Sequence, residues 1–277
     1  MNHQLKQELK QEIKETLKTA IRRFFERKQK KLPIKNATSQ TSNILDILFP
    51  KERRIRLLIG GLETSMGTVW EAIAVKLAQN NGFSIISDKI LMPSPFPEEL
   101  AKTLENLIST RINRKTFIST EDCITQLKEV AQKIDSDRIT FVKPPSGHGV
   151  DLYLKKNNTE YLFDLKSPQP NKGDFPRYTR QLLEWYAYKL AQNPSLQLEA
   201  RIAFIFNPFD KSWYEEQKYK ISTCLDINRD IYVENEFWDF CSGQQNTWQA
   251  LETLFYELKA ENFDQEFEDI FYQSTTE

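Results

Sequence analysis

The sequence predicts an α/β fold in which a mixed central β-sheet is flanked by helices on both faces. Strand-like apolar runs occupy residues 139–166 and 201–208, whereas apolar residues at helical spacing mark residues 67–79 and 176–192. Helices therefore alternate with strands along the chain, and this order suits a sheet that is covered on both sides. With 277 residues, the chain is long enough to bury a sizeable core.

Residues 3–31 are predicted to form one long amphipathic helix. Its apolar residues recur every three or four positions, and lysine and glutamate occupy the opposite face. Residues 22–31 are distinctly basic. We expect the helix to dock on the body of the protein or on a second subunit. Alternatively, its basic side chains could bind phosphates of a nucleic acid, namely Arg22, Arg23, Arg27 and Lys28.

A polar linker at residues 35–43 separates this helix from the rest of the chain. We therefore predict an N-terminal region of basic helix and linker at 1–43 and a main domain at 44–277. The main domain is predicted to begin with a short helix at 44–48, which Pro50 ends.

The other elements follow in order. The helix at 67–79 ends at Asn80–Gly82, and residues 98–134 are mostly helical. Strand patterns then appear in ITFVK, VDLYLKK and EYLFDLK, which are separated by the turns PPSGHG and NN. RIAFIFNP (201–208) is typical of a buried strand, and IYV (231–233) is a further candidate. The remaining helices are predicted at 176–192 and, as a C-terminal addition, at 234–241 and 247–260.

Composition limits the kinds of site that the chain can carry. The formal net charge is −1, so any nucleic-acid surface has to be a local patch. Three separated cysteines without a CxxC pair, together with two histidines, disfavour a zinc site and fit a reducing compartment. The sequence shows neither a signal peptide nor an apolar run of membrane-spanning length. We therefore expect a soluble, cytoplasmic protein.

Asp164 and Lys166 are the unusual feature of the predicted hairpin at 150–166. They point to the same face of a strand, and the residues around them, Leu162, Phe163 and Leu165, are apolar on both faces, so charges are placed in a buried strand. Because NN forms the tight turn, Asp151 falls beside Asp164 at the open end of the hairpin. Two converging carboxylates form a hard-oxygen site that suits Mg²⁺.

This arrangement suits the hydrolysis of a phosphodiester. A bound Mg²⁺ would act as a Lewis acid and would lower the pKa of its water. Lys166 would place a cation where negative charge develops, or would orient the nucleophile. A carboxylate from the helix at 67–79 would complete the cluster, and the candidates are Glu71 on that helix and Glu63 just before it.

The spacing resembles a known signature. Asp151, a gap of twelve residues and Asp164-Leu165-Lys166 are similar to the PD-(D/E)XK nuclease motif, in which a glutamate on the preceding helix is a frequent third member. Val150 stands where the motif often has proline. Over roughly residues 60–240, the chain resembles the TdeIII-type group of type II restriction endonucleases, through the segments GLETSMGTVWEAIA, GHGVDLYL, FDLKSPQPNKGDF and RQLLEWYAY.

The resemblance implies a restriction-endonuclease-like core with helical additions at both termini. It implies Mg²⁺-dependent cleavage of double-stranded DNA at a short palindromic G/C-rich site of the form GGNCC. By this resemblance, Asp151 and Asp164 are metal ligands and Lys166 is the catalytic lysine. Glu71 or Glu63 is then the helix carboxylate, and Glu71, which fits the G-x-x-x-E spacing better, is the further metal ligand.

Candidate DNA contacts follow the strand that carries Asp164. The segment 167–175 and the helix after it offer polar and basic side chains for phosphates or bases, namely Gln169, Asn171, Lys172, Arg177 and Arg180. The two arginines could instead pair with Glu184. His148, in the glycine turn, could contact DNA or the attacking water, although a loop histidine is more often a bystander.

Partners follow from the same resemblance. A palindromic target implies a two-fold homodimer, because such an enzyme places one site on each strand. A cognate DNA methyltransferase is the expected functional companion. Two other functions stay open: another nuclease of this fold in repair or mobile-element control, or a catalytically silent DNA-binding or dimerisation module. The intact set of two aspartates and a lysine argues against the silent module.

Overall fold

A computed structural model describes residues 5–31, 50–87, 90–135 and 139–272. By their contacts the residues form two compact units. The first combines Met1–Ile73 with Gln244–Glu277, and the second is Ala74–Gly243. The predicted linker and the predicted helix at 44–48 lie outside the described residues, so the predicted domain boundary at residue 43 stays a prediction.

The second unit is built on a mixed sheet of five strands, which confirms the predicted fold class. The sheet order is β1–β4–β5–β6–β7. β1 and β5 both pair antiparallel with β4, whereas β5, β6 and β7 run parallel. β2 and β3 form a separate antiparallel ribbon. The strands are β1 (Ser84–Ile85), β2 (Met92–Ser94), β3 (Thr140–Val142), β4 (Leu152–Lys156), β5 (Thr159–Lys166), β6 (Gln197–Phe204) and β7 (Ile231–Val233).

The helices agree with the predicted order, with three differences. One helix runs through Gly60 and Gly61 and begins at Pro50, well before the predicted residue 67. Two others, at Trp213–Ile221 and at Glu268–Tyr272, were not predicted. The helices are α1 (Gln7–Lys31), α2 (Pro50–Asn80), α3 (Glu98–Ile112), α4 (Thr120–Ala131), α5 (Asp174–Gln192), α6 (Trp213–Ile221), α7 (Asn235–Ser242), α8 (Thr247–Ala260) and α9 (Glu268–Tyr272).

Alternate residues of β5 face the two helical layers of this unit. Leu162 belongs to the large cluster that α3, α4 and α5 form with β6. Phe163 points the other way and packs against the rings of Phe237 and Phe240 from α7. Because side chains alternate along a strand, Asp164 lies on the same face as Leu162. Burial of both faces fixes the register of β5, since a slip of one residue would exchange Phe163 and Asp164.

A buried ion pair connects α3, α4 and the segment before β7. The Arg111 guanidinium donates to Asp230 at 2.9 Å, to the Thr120 hydroxyl at 2.8 Å and to the Ile118 carbonyl at 3.0 Å. Asp230 also accepts from the Asp226 backbone N–H at 2.8 Å. The side chains of Arg111 and Asp230 are each 1% exposed. A charge pair this deeply buried stabilises the fold only when every polar group is satisfied, and these contacts meet that condition.

The first unit contains α1, α8 and α9. The apolar stripe of α1 is buried, and Phe25 stacks on Phe267 with ring centroids 4.4 Å apart. Arg22 forms an ion pair with Glu266 at 2.6 Å, and Lys14 forms one with Glu257 at 2.7 Å. These contacts confirm that α1 docks on the body of the chain, while its predicted binding of nucleic acid stays a prediction. No described helix is both long and apolar enough to cross a membrane.

Candidate active site

The β4–β5 hairpin places Asp151 and Asp164 side by side at its open end. Leu152 is paired with Phe163, and the Asp151 backbone N–H donates to the Phe163 carbonyl at 3.0 Å. The Asp151 carboxylate in turn accepts the Leu165 backbone N–H at 2.8 Å. These two backbone contacts therefore fix Asp151 next to Asp164, the residue that follows Phe163. The geometry confirms the predicted proximity of the two aspartates.

Asp164 is a buried carboxylate with one unsatisfied oxygen. Its residue is 3% exposed. Oδ1 accepts from the Lys166 ammonium at 2.6 Å, but Oδ2 is buried and has no hydrogen-bond partner among the described residues. A buried carboxylate oxygen without a donor is costly, and such an atom in a native protein calls for an explanation. A cation bound at this oxygen would supply it.

The pKa of the Asp164 carboxyl is raised to about 7, chiefly because the group is buried; Lys166 opposes the rise, and the nearby Asp151 carboxylate adds to it. Carboxylates with raised pKa values cluster at functional sites, because such sites concentrate charge where water is excluded. Asp151, by contrast, is exposed. The two carboxylates therefore differ in environment: one is buried and oriented, and the other is open to solvent.

The donor set fits a hard divalent cation. Asp151 and Asp164 offer carboxylate oxygens, one of them otherwise unsatisfied, and Mg²⁺ prefers one or two carboxylates with its other positions filled by water or phosphate. Among the described residues, no group of three or more His, Cys, Asp or Glu side chains is placed to hold a metal ion.

Glu63 and Glu71 both lie on α2, in the part of the helix that belongs to the first unit. Glu63 is exposed, and Glu71 is partly buried. Asp151, Asp164 and Lys166 belong to the second unit. The predicted third carboxylate therefore stays a prediction.

Three side chains of α5 hold the loop that leads into Asp151. Glu184 pairs with the His148 ring at 2.7 Å, and the Trp185 indole N–H donates to the His148 carbonyl at 3.0 Å. Gln181 donates to the Gly149 carbonyl at 3.4 Å. This role of the three α5 residues was not predicted from the sequence. Their i, i+3 and i+4 spacing places them on one helix face and was the available signal.

The predicted DNA contacts divide into paired and unpaired side chains. Arg177 forms an ion pair with Asp174 at 2.9 Å. Arg180 forms a bidentate pair with Glu105, with its second contact at 3.0 Å, and lies 3.8 Å from Glu184. The other candidates, Gln169, Asn171 and Lys172, are exposed on the loop after β5.

This loop is anchored from α6. The Trp213 indole N–H donates to the Pro168 carbonyl at 2.7 Å, and the Lys220 ammonium donates to the Pro170 carbonyl at 3.3 Å. Both anchors are contacts to backbone carbonyls, so they hold the main chain of the loop. The DNA contacts predicted there stay predictions.

A sequence model of a restriction endonuclease family, described as type II restriction endonuclease, HinfI, matches residues 9–259. The chain belongs to this HinfI family. The match spans nearly all of α1, the whole second unit and nearly all of α8, and therefore includes Asp151, Asp164 and Lys166. The TdeIII-type grouping and the PD-(D/E)XK assignment stay predictions.

Individual relatives of the HinfI-family chain are also type II restriction enzymes. HgiCII of Herpetosiphon aurantiacus is 27% identical over 136 residues, which cover 49% of this chain and 49% of the relative. HgiEI of the same organism is 26% identical, over 48% of this chain and 47% of the relative. MjaII of Methanocaldococcus jannaschii is 22% identical, over 43% of this chain and 35% of the relative. The chain spans about half the length of the Herpetosiphon relatives that it matches.

Proposed function

We propose that this chain is a type II restriction endonuclease that hydrolyses phosphodiester bonds of double-stranded DNA with Mg²⁺. Its membership of the HinfI family supports the general activity. The observation that carries the proposal is the buried, unsatisfied Oδ2 of Asp164 beside Asp151, with Lys166 on the other oxygen. This set of residues is also the basis for placing the site in the PD-(D/E)XK superfamily.

Each residue has a separate role in the proposed reaction. Asp151 and Asp164 would hold the metal ion, which when bound supplies Lewis-acid stabilisation of the phosphate and a more acidic water. Lys166 orients the Asp164 carboxylate through its 2.6 Å contact and places a positive charge beside the phosphate that is cut. The Leu165 backbone N–H fixes the Asp151 carboxylate. The hairpin therefore prepares the site before DNA arrives.

The target and the partners are proposed from the resemblance to TdeIII-type enzymes. We expect a short palindromic G/C-rich site, similar to GGNCC, and therefore a homodimer with one active site for each strand. A DNA methyltransferase that modifies the same site is the expected companion, because an unmodified host genome would otherwise be cut.

Digestion of unmethylated phage DNA tests this proposal. Purified protein with Mg²⁺ should give discrete fragments, and sequencing their ends should return one short palindrome. The same DNA treated beforehand with a methyltransferase specific for that palindrome should resist cleavage. A smear, or fragments with unrelated ends, would contradict site-specific cleavage and would favour a repair-type nuclease. Binding of DNA without any Mg²⁺-dependent cleavage would favour the silent module.

Replacing Lys166 by methionine removes the charge and keeps most of the side-chain volume. We expect cleavage to slow by about 10²–10³-fold, the usual loss when one group that stabilises the transition state is removed. Affinity for DNA measured in EDTA should change little, because Lys166 is one cation among many. Lys155→Met is the matched control, since Lys155 is an exposed lysine on the neighbouring strand β4. Cleavage by Lys166→Met at the rate of this control would contradict the assigned role.

Separate substitutions of Glu71 and Glu63 by glutamine decide which of them is the helix carboxylate. We expect Glu71→Gln to raise the Mg²⁺ concentration needed for half-maximal cleavage by about tenfold. The substitution removes a carboxylate charge that would hold the metal ion directly or through a metal-bound water. Glu63→Gln should leave this concentration unchanged. The reverse order would assign the role to Glu63, and no change in either variant would remove α2 from the proposed site.

A further inference from the structure

A cleft with a cavity volume of about 510 Å³ lies directly beside Asp151. The polar residues that line it are Ser87, which follows β1, and five residues of the loop before β4, namely Lys143, Ser146, Gly147, Gly149 and Asp151. Hydrophobic residues line it as well, among them Ile85, Leu152 and Tyr153. The lining of the cleft is therefore mixed, and its polar part includes one of the two candidate metal ligands.

The polar part of the lining carries donors for which the described residues provide no acceptor. No carboxylate among the described residues lies within ion-pair distance of the exposed Lys143 ammonium, whereas Arg177 and Arg180 are both paired with carboxylates. Within the same described residues, the backbone N–H groups of Gly147 and Gly149 have no acceptor. An ammonium, a hydroxyl from Ser146 and two open N–H groups form a donor set suited to an anion.

The loop is open and at the same time held in place. A Cβ atom added at Gly147 or Gly149 would meet nothing within 4 Å, so a ligand can approach the backbone there. Gly147 has φ +91°, a conformation that favours glycine. The contacts from Glu184 and Trp185 hold the loop against α5 on its other side. A donor set that is fixed beforehand binds an anion without the cost of ordering the loop.

We propose that this cleft binds a backbone phosphate of DNA, next to the phosphate that is cut, through the Lys143 ammonium, the Ser146 hydroxyl and the open glycine N–H groups. Successive phosphates of one strand rise by about 3.4 Å along the helix axis. If the phosphate that is cut lies at Asp151 and Asp164, its neighbour on the same strand is therefore close enough to reach a cleft that Asp151 itself lines. This inference rests on the proposed function and adds a phosphate site to it.

The salt dependence of DNA binding tests this site. Affinity for a labelled duplex is measured by fluorescence anisotropy in EDTA, so that no cleavage occurs, over a series of salt concentrations. In Lys143→Ala, the slope of log K against log salt should become less steep by about 0.9 for each phosphate that the variant no longer neutralises, and affinity should fall about tenfold. Lys143→Arg should retain the slope. Lys155→Ala, which removes an equivalent exposed charge outside the cleft, should also retain it.

Uncharged analogues of single phosphates locate the contact along the DNA strand. Duplexes with a single methylphosphonate at successive positions beside the cut should show one position where wild-type affinity falls. At that position Lys143→Ala should lose no further affinity, because both changes remove the same interaction.

The outcomes separate this inference from the proposed function. An unchanged salt slope in Lys143→Ala, with wild-type protein that still binds and cuts DNA, would overturn the phosphate site alone. An equal change of slope in Lys155→Ala would overturn it as well, because the effect would then be one of total charge. If wild-type protein neither binds nor cuts DNA, the phosphate site and the proposed function are both wrong.

Discussion

Replacing Asp164 by asparagine should abolish cleavage and, in the absence of metal, should make the protein more stable. The amide removes a proposed metal ligand, so we expect cleavage to fall by at least about a thousandfold. The same change removes a carboxylate that is 3% exposed and has one buried oxygen without a partner. The opposite signs of the two effects are the mark of a residue retained for function at a cost in stability.

The gain in stability should depend on pH in a defined direction. In the metal-free native protein, burial raises the pKa of Asp164 to about 7, while an unfolded aspartate ionises near 3.9. Between these values the native state holds one proton more than the unfolded state. Stability contributed by Asp164 is therefore present at low pH and is lost as the pH rises towards 7. Asp164→Asn lacks this loss of stability. Its free energy of unfolding should therefore exceed that of wild type only in the upper part of this pH range.

Chemical denaturation in EDTA measures this difference. Near pH 8, Asp164→Asn should have a free energy of unfolding about 2 kcal/mol above wild type, which is less than the full pKa shift implies because Lys166 loses its partner. Near pH 4 the two proteins should have equal free energies of unfolding. Asp210→Asn, at an exposed carboxylate of the same unit, is the control and should change neither value. If Asp164→Asn is less stable than wild type near pH 8, the prediction is wrong, and the carboxylate stabilises the fold through its contact with Lys166.

Replacing Arg111 by methionine should cost about 3–5 kcal/mol of unfolding free energy. The substitution leaves the Asp230 carboxylate buried without its guanidinium partner, and breaking a buried pair from one side has a cost of this size. The Thr120 hydroxyl and the Ile118 carbonyl also lose a donor. Because Arg111 connects α3, α4 and the segment before β7, the loss should affect the whole second unit.

Urea denaturation of two further variants gives this prediction its controls. Arg114→Met removes an exposed arginine just beyond the end of α3 and should change the free energy of unfolding by less than about 0.5 kcal/mol. Arg111→Met combined with Asp230→Leu removes both charges and should recover part of the loss, because no buried charge is left unpaired. An Arg111→Met protein as stable as Arg114→Met would show that the buried pair contributes nothing.

The hairpin that carries the site could be predicted because its sequence is locally consistent. The apolar runs on either side of NN have the length of strands, and the tight turn fixes the pairing, so the positions of Asp151 and Asp164 followed directly. The helix α5 was likewise predicted, at 176–192, close to its observed bounds Asp174–Gln192.

Other parts could not be predicted because long-range packing creates them. β1 and β2 have two and three residues, too few for a periodic pattern, and they exist through pairing with β4 and β3. The phosphate contact proposed for Lys143 depends on the cleft that the loop before β4 forms with β1, which no local spacing reveals. The Arg111–Asp230 pair joins residues 119 positions apart, and a charged side chain at either position suggests exposure when read alone.

The central claim is that Asp151, Asp164 and Lys166 form a Mg²⁺-dependent site for cutting DNA. The most direct measurement incubates unmethylated phage DNA with wild-type protein and with Asp164→Asn, each in Mg²⁺ and in EDTA. Discrete fragments should appear only for wild-type protein in Mg²⁺, while the variant remains folded and retains its affinity for DNA in EDTA. The same fragments produced by Asp164→Asn, or by wild-type protein in EDTA, would contradict the assigned site.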